Sequence, residues 1–239
     1  MHNKNSTKPG LEEVKTYYDE AYYKEAGKHA IISLHLRRLA SRLDIYTSQR
    51  VLDVACGTGE WLQAVQERGG IPFGIDLSAR AIEVCKQHVP NGTFFCGPAE
   101  KLPFDDAQFD WITCLGSIEH FVDPEGALRE MARVAKRDAR FVLLVPNADF
   151  LTRRLGLYRG TNQTAAIEDV RTLEQWQALF ESAGLIIQMR WKDLHVFSRS
   201  WLLAQGLLGF PLRATQALLL ALWPLRWQYQ IYHLCRKAS

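Results

Sequence analysis

At 239 residues, 47% of them hydrophobic, the chain can bury one substantial core, and one catalytic domain with an appendage is the simplest division. The net charge of +3 hides an asymmetry: every acid lies at or before Asp193, so residues 1–198 sum to −2 and the last 41 to +5. A slightly acidic main body argues against a broad nucleic-acid footprint there and makes the basic tail a separate question.

Residues 1–10 read as a polar leader with no apolar segment of a secretory signal, so the cytoplasmic side is expected. From Leu11 to Asp44 the pattern is one or two helices, with Ile31, Leu34, Leu36, Leu39 and Leu43 apolar and Arg37, Arg38 and Arg42 on the wet side; residues 1–45 form a leader with cap helices. A buried parallel strand is expected over Arg50 to Ala55, followed by a tight turn through Cys56 to Gly59 and a helix from Glu60 to Gln66. Glycines suit that turn because a side chain would hold a ligand away from the backbone and because positive φ is wanted. A second apolar run, Ile71 to Ile75, ends in Asp76. In a doubly wound sheet that acid lies beside the first glycine turn and can accept from two ribose hydroxyls, which implies a nucleoside cofactor. A dinucleotide site would want a third glycine at position 62, where Leu62 stands.

Ser78 can cap a helix from Ala79 to His88, and strands follow near Thr93 to Cys96 and over Phe109 to Leu115. Asp123-Pro124 starts a helix, and a fifth strand runs from Ala139 to Val145. About residues 147–171, holding Arg153, Arg154, Tyr158, Arg159 and Gln163, form a long connection at the ligand-binding edge and read as a substrate lid. Thr172 to Gln175 has the capping-box pattern for a helix closed by Gly184, and Leu185–Trp191 with Leu194–Phe197 reads as a terminal hairpin. Five cysteines with no Cys-x-x-Cys pair read as buried, reduced thiols.

Beyond residue 198 the chain has no acid. Trp201–Leu212 and Ala214–Leu225 are apolar but split by Arg213 and broken by Pro211 and Pro224, so a spanning helix is not expected. Arg226, Gln230, His233 and Lys237 fall on one helical face and Trp227, Ile231 and Leu234 on another, the pattern of an interfacial membrane helix; folding back over the main domain or a dimer contact are the alternatives for residues 199–239.

Val51-Leu52-Asp53-Val54-Ala55-Cys56-Gly57-Thr58-Gly59, followed by Gly74-Ile75-Asp76-Leu77-Ser78, resembles motif I and its successor in the class I S-adenosylmethionine (SAM) dependent methyltransferases. Gly97 to Phe104, Leu115 to His120, Ala127 to Val134 and Phe141 to Asn147 extend the likeness to the small-molecule, type 11-like branch, from Val51 to about Arg199. The resemblance implies a Rossmann-like α/β fold: a seven-stranded sheet with helices on both faces over 46–198, an N-terminal helical segment covering the pocket, and a C-terminal apolar helical appendage. Tyr17 or Tyr18 is then a candidate to lie against the cofactor, with an aromatic packed onto the sheet edge as the other reading.

It implies SAM as cofactor. Ala55, Gly57 and Gly59 would let the backbone approach the methionine part, Asp53 would orient the turn and the ammonium, and Asp76 would take the ribose. Leu77 would lie on the adenine face, Ala99 and Glu100 at its edge, and Leu115 by the methionine. Relatives commonly carry Asp at position 98, where Pro98 here can neither accept with its side chain nor donate an amide. The adenine contact would then come from the Ala99 amide and the Glu100 carboxylate.

His120 is the candidate general base, with a packed, loop-orienting histidine as the other reading. Glu119-His120 is similar to part of a divalent-metal site in ubiquinone-pathway O-methyltransferases, but Gly116 stands where that site has a further Glu, and no metal is expected. No nucleic-acid motif follows the fourth strand, so the acceptor is expected to be small or lipid-like, methylated at oxygen. The other class kept open is a methyltransferase-like protein that binds a ligand or partner without catalysis.

Overall fold

The computed structural model describes residues 10–23, 32–156 and 169–238. Seven strands form one sheet in the order β3-β2-β1-β4-β5-β7-β6: β1 (Arg50–Val54), β2 (Ile71–Asp76), β3 (Thr93–Cys96), β4 (Phe109–Leu115), β5 (Ala135–Pro146), β6 (Leu185–Lys192) and β7 (Gln230–Lys237). β1 to β5 are parallel neighbours, while β7 runs antiparallel between β5 and β6. The helices are α1 (Leu11–Tyr17), α2 (Leu34–Arg42), α3 (Glu60–Glu67), α4 (Ala79–His88), α5 (Pro124–Val134), α6 (Leu151–Arg154), α7 (Leu173–Ser182), α8 (Arg199–Leu202) and α9 (Gly206–Leu222).

Side chains alternate across a strand, so a sheet covered on both faces splits its core in two. Leu52, Ile112, Cys114, Phe141 and Leu143 pack on one face with Leu128 and Met131 of α5 and Trp176 and Phe180 of α7. Their neighbours Val51, Trp111, Val142 and Leu144 pack on the other, with Leu39 of α2, Trp61 and Leu62 of α3, and Ile82 and Cys85 of α4. The expected starts hold: the Ser78 hydroxyl accepts from the Ala81 amide (3.1 Å), Asp123 from the Gly126 amide (2.9 Å), and Thr172 and Gln175 close a capping box. All five cysteines are free, but Cys96 is exposed, unlike the other four.

The C-terminal part departs from the expected helical appendage. Leu194–Phe197 is not a strand; His195–Phe197 is a 3-10 turn from which the chain leaves through α8 and α9. It returns as β7, so residues 230–237 belong to the sheet. The Arg226, Gln230, His233, Lys237 spacing that suits a helix face is thereby overridden. Ladders on both sides hold Gln230–Lys237 extended, burying Tyr232 on one core and Cys235 on the other. Of the lid segment, Arg153 and Arg154 fall in α6; Tyr158, Arg159 and Gln163 lie outside the described residues.

Ile231 is fully buried between Val145 and Lys192 in the ladder. Ile231→Ala should therefore cost about 2–5 kcal/mol in urea denaturation. A loss under about 0.5 kcal/mol, as for a solvated appendage, would contradict this placement.

Candidate functional site

A cleft opens at the carboxyl ends of β1 and β2. It is lined by Ala55, Ile75, Asp76 and Leu77, by Gly97 to Glu100 after β3, by Ser117 and His120 after β4, and by Leu11, Val14, Tyr18 and Tyr23 of the N-terminal segment. Ligands of open α/β sheets bind at this edge.

The two glycines of the turn answer to different constraints. Gly57 has φ +52°, and a Cβ there would lie 2.9 Å from the Tyr23 hydroxyl, so its bareness makes room for the Tyr23 ring that lines the cleft, although Gly57 is not itself among the lining residues. Gly59 has φ +84°, and a Cβ there would meet Cys85 Sγ at 2.5 Å; it lets α3 and α4 approach, and it is not part of the cleft wall. Ala55 also stands at positive φ, +62°, a conformation an L side chain rarely takes.

Asp76 is 7% exposed, and both its oxygens are engaged: Oδ2 accepts from the Gly57 amide at 2.8 Å and Oδ1 from the Ser78 amide at 2.9 Å. Burial pushes its pKa up, against the amides, which lower it. A carboxylate offers about four lone-pair directions, so Asp76 retains capacity to accept from a ligand hydroxyl beside these amides. Asp53 lies beneath the turn and does not line the cleft. It is 3% exposed, and its Oδ1 accepts from Thr113 Oγ1 at 2.5 Å, which in turn accepts from Trp61 Nε1 at 2.9 Å. Burial pushes the Asp53 carboxyl up to about 7.

Leu77 and Ala99 line the cleft as expected. Glu100 does too, although its Oε1 already accepts from the Asp123 amide at 3.2 Å, tying the carboxylate to the start of α5. His120 ends the 3-10 turn Ile118–His120 and faces the cleft. Leu115 does not line it. It packs against the α2–α4 core, because the alternation that points Cys114 one way points Leu115 the other, and Ser117 takes its expected position.

The wall that sequence patterning missed is Tyr23. Tyr18–Tyr22 is a π turn closed by the Tyr23 amide on the Tyr18 carbonyl at 2.9 Å. Five residues at ~100° each would set Tyr18 and Tyr23 ~140° apart on an α-helix; the wider turn brings both to the cleft, and Tyr17 stays outside it. The repeated Tyr-Tyr pairs at 17–18 and 22–23 were the available signal. Burial, reinforced by the Asp76 charge, holds both phenols well above their usual range, so they act as donors. Asp19 pins the segment, accepting from Ser78 Oγ at 2.5 Å. A buried acceptor at Asp76, small residues at the turn, phenolic donors and the apolar Leu77, Pro98 and Ala99 suit a nucleoside with hydroxyls at one end and a flat ring along the wall.

Residues 52–143 match the family model described as a methyltransferase domain. The chain is 32% identical over 167 residues to YcgJ of Bacillus subtilis, a methyltransferase described as uncharacterized, covering 66% of this chain and 65% of that one, just under two thirds. It is 30% identical over 194 residues to a ubiquinone biosynthesis O-methyltransferase of Coxiella burnetii, covering 73% of this chain and 81% of the relative. The crystal structure of YcgJ superposes with a TM-score of 0.60 at 26% identity, over 86% of this chain and 98% of that one. With motif, sheet and cleft in place and a relative matched over four fifths of its length, the chain belongs to the class I SAM-dependent methyltransferases.

Proposed function

We propose that this methyltransferase acts on an oxygen of a small or lipid-linked acceptor, with its C-terminal helices at a membrane surface. The observation that carries the lipid-linked part is α9, which has no acid and leaves Leu208 99%, Leu207 82% and Leu222 79% exposed, with basic residues as the only charges from Arg199 onward. Among the described residues no helix is long and apolar enough to cross a membrane, which leaves contact with its surface. The relative named as a ubiquinone biosynthesis O-methyltransferase supports both the oxygen and the lipid-like acceptor.

When bound, SAM supplies an electrophilic methyl on a sulfonium. The chain has to hold acceptor and methyl in line and take up a proton. In this reading Asp76 accepts from the ribose hydroxyls, Ala55 and Gly57 allow close backbone approach, and Leu77 and Ala99 flank the adenine. Glu100 stands at the adenine edge, and Asp53 lies beneath the turn, where the cationic end of the cofactor would favour its ionised form. His120, on the cleft wall after β4, is the candidate to receive the acceptor proton.

Calorimetric titration tests the cofactor half. Wild type should bind SAM in the micromolar range, and Asp76→Ala, folded by circular dichroism, should bind at least about tenfold more weakly. Unchanged binding would remove Asp76 from the ribose site.

Methylation of a phenolic quinol analogue tests the base. His120→Ala should lower kcat by about 10²–10³ with SAM affinity retained, and undiminished kcat would assign the proton elsewhere.

Asp53 gives a pH signature in the cofactor-free chain. The folded state keeps a proton that the unfolded state releases above pH ~4, so stability falls as pH rises from ~4 to about 7. Asp53→Asn should flatten that decline in thermal melts, and a melt equally pH-dependent in the variant would show that another group causes it.

A further inference from the structure

A second, larger cavity lies away from the cofactor cleft, between α2 and the chain that leaves β6. It encloses about 2140 Å³ of empty space including its open mouth, against about 620 Å³ for the cofactor cleft. Its floor is the carboxyl end of β6 and the start of β7, where Trp191 and Tyr232 stack with ring centres 5.2 Å apart. Leu39, Leu194, Phe197, Leu203 and Phe210 make its walls apolar.

Four cations, Arg38, Arg42, Lys192 and Arg199, also line it, and none is paired with a carboxylate among the described residues. Arg42 lies over the Trp191 ring at 4.4 Å, and Lys192 spends one donor on the Ala221 carbonyl at 2.7 Å. Asp193, between the groove residues Lys192 and Leu194, is buried and engaged by two histidines. Its side chain is 4% exposed and bonded to His195 Nδ1 at 2.6 Å and His35 Nε2 at 3.1 Å, and His35 also meets the Tyr232 hydroxyl at 2.9 Å. The groove therefore offers long apolar walls, a buried hydrogen-bonded Asp193–histidine cluster, and cations with no carboxylate partner among the described residues.

We propose that this groove binds a membrane lipid with an acidic headgroup, its aliphatic chain along Trp191, Phe197, Leu203 and Phe210 and its phosphate or carboxylate held by Arg38 and Arg199. Charge complementarity selects this occupant: two guanidiniums hold an anionic oxygen group well, and a neutral amphiphile leaves them without a partner. A second copy of this chain would set one cationic groove against another, so self-association through this face is opposed. The inference deepens the lipid-like reading above and rests on it for the kind of ligand, but its site is separate from the cofactor cleft.

The test follows tryptophan fluorescence of the full chain titrated, below micelle-forming concentrations, with dodecyl phosphate and with the neutral octaethylene glycol dodecyl ether. Dodecyl phosphate should bind saturably and at least about tenfold more tightly than the neutral ether, and more weakly as salt is raised. The double variant Arg38→Gln with Arg199→Gln should lose that preference, and Leu203→Glu should abolish binding. Leu208→Glu, on α9 outside the groove, should leave monomer binding unchanged.

SAM calorimetry on every variant reads the cofactor site separately and shows that each has folded; if Leu203→Glu fails there, the arginine pair carries the test. Equal affinity for both amphiphiles overturns the proposal, as does an arginine variant indistinguishable from wild type. So does binding abolished by Leu208→Glu but not by Leu203→Glu, which would locate the lipid contact on the outer face of α9. A wild type that binds SAM but neither amphiphile overturns the groove and leaves the methyltransferase assignment standing; one that binds amphiphile but not SAM does the reverse.

Discussion

The hydrogen bond from the Gly57 amide to Asp76 joins the ends of two neighbouring parallel strands, and the ligand edge is arranged around it. A carboxylate this deeply buried is costly unless its oxygens are hydrogen-bonded, so the turn after β1 and the start of α4 must each deliver an amide to it. Gly57 can do so only with its own backbone in the left-handed region, with Ala55 held there two residues earlier. The same acid reaches the N-terminal segment through Ser78, whose amide bonds Asp76 and whose hydroxyl donates to Asp19. One buried charge thus ties together two strand ends, a helix start and the π turn that closes the cleft.

What was legible in the sequence follows from how local each signal is. Buried parallel strands are continuous apolar runs, so β1, β2 and β4 stand out, and Ser78, Asp123 and Thr172 announce helix starts within three residues of the groups they cap. β7 is not local: its partners in β5 lie about 90 residues earlier, and Gln230-Ile231-Tyr232-His233-Leu234 carries apolar residues at spacings compatible with either period. Only the ladder on both sides decides. Tyr23 escaped for a related reason, since a turn of π geometry cannot be read from a pattern that assumes 3.6 residues per turn. Gly59 and Leu115 are the converse case: the motif names them, but α3–α4 packing and strand alternation account for where they point.

Placing β7 inside the sheet changes what the C-terminal region is. Residues 193–229 become an excursion between two paired strands, anchored at both ends, so α8 and α9 are delivered back to the carboxyl edge. Gln228 fastens the return, donating through Nε2 to the Leu220 and Trp223 carbonyls, while Asn147 Nδ2 donates to the Arg226 and Gln228 carbonyls. An exposed apolar helix held in that way projects beside the functional edge at a defined place.

The two cavities at this edge differ in sign, and the chemistry of methyl transfer gives that difference a direction. The cofactor cleft has Asp76 and Glu100 on its wall and Asp53 beneath its turn, whereas the groove beside α2 is lined by cations that have no carboxylate partner among the described residues. SAM carries a sulfonium, an ammonium and a carboxylate, and the demethylated product keeps the last two but not the sulfonium charge. In the reading proposed above, an ionised acid beside the cofactor would attract the methylated form by one positive charge more than the product. An anionic headgroup of the kind proposed for the groove would meet repulsion from any ionised acid of the cleft, and the net positive SAM would meet it from the groove's cations. Under that proposal, this repulsion would add to shape in keeping the two ligands apart.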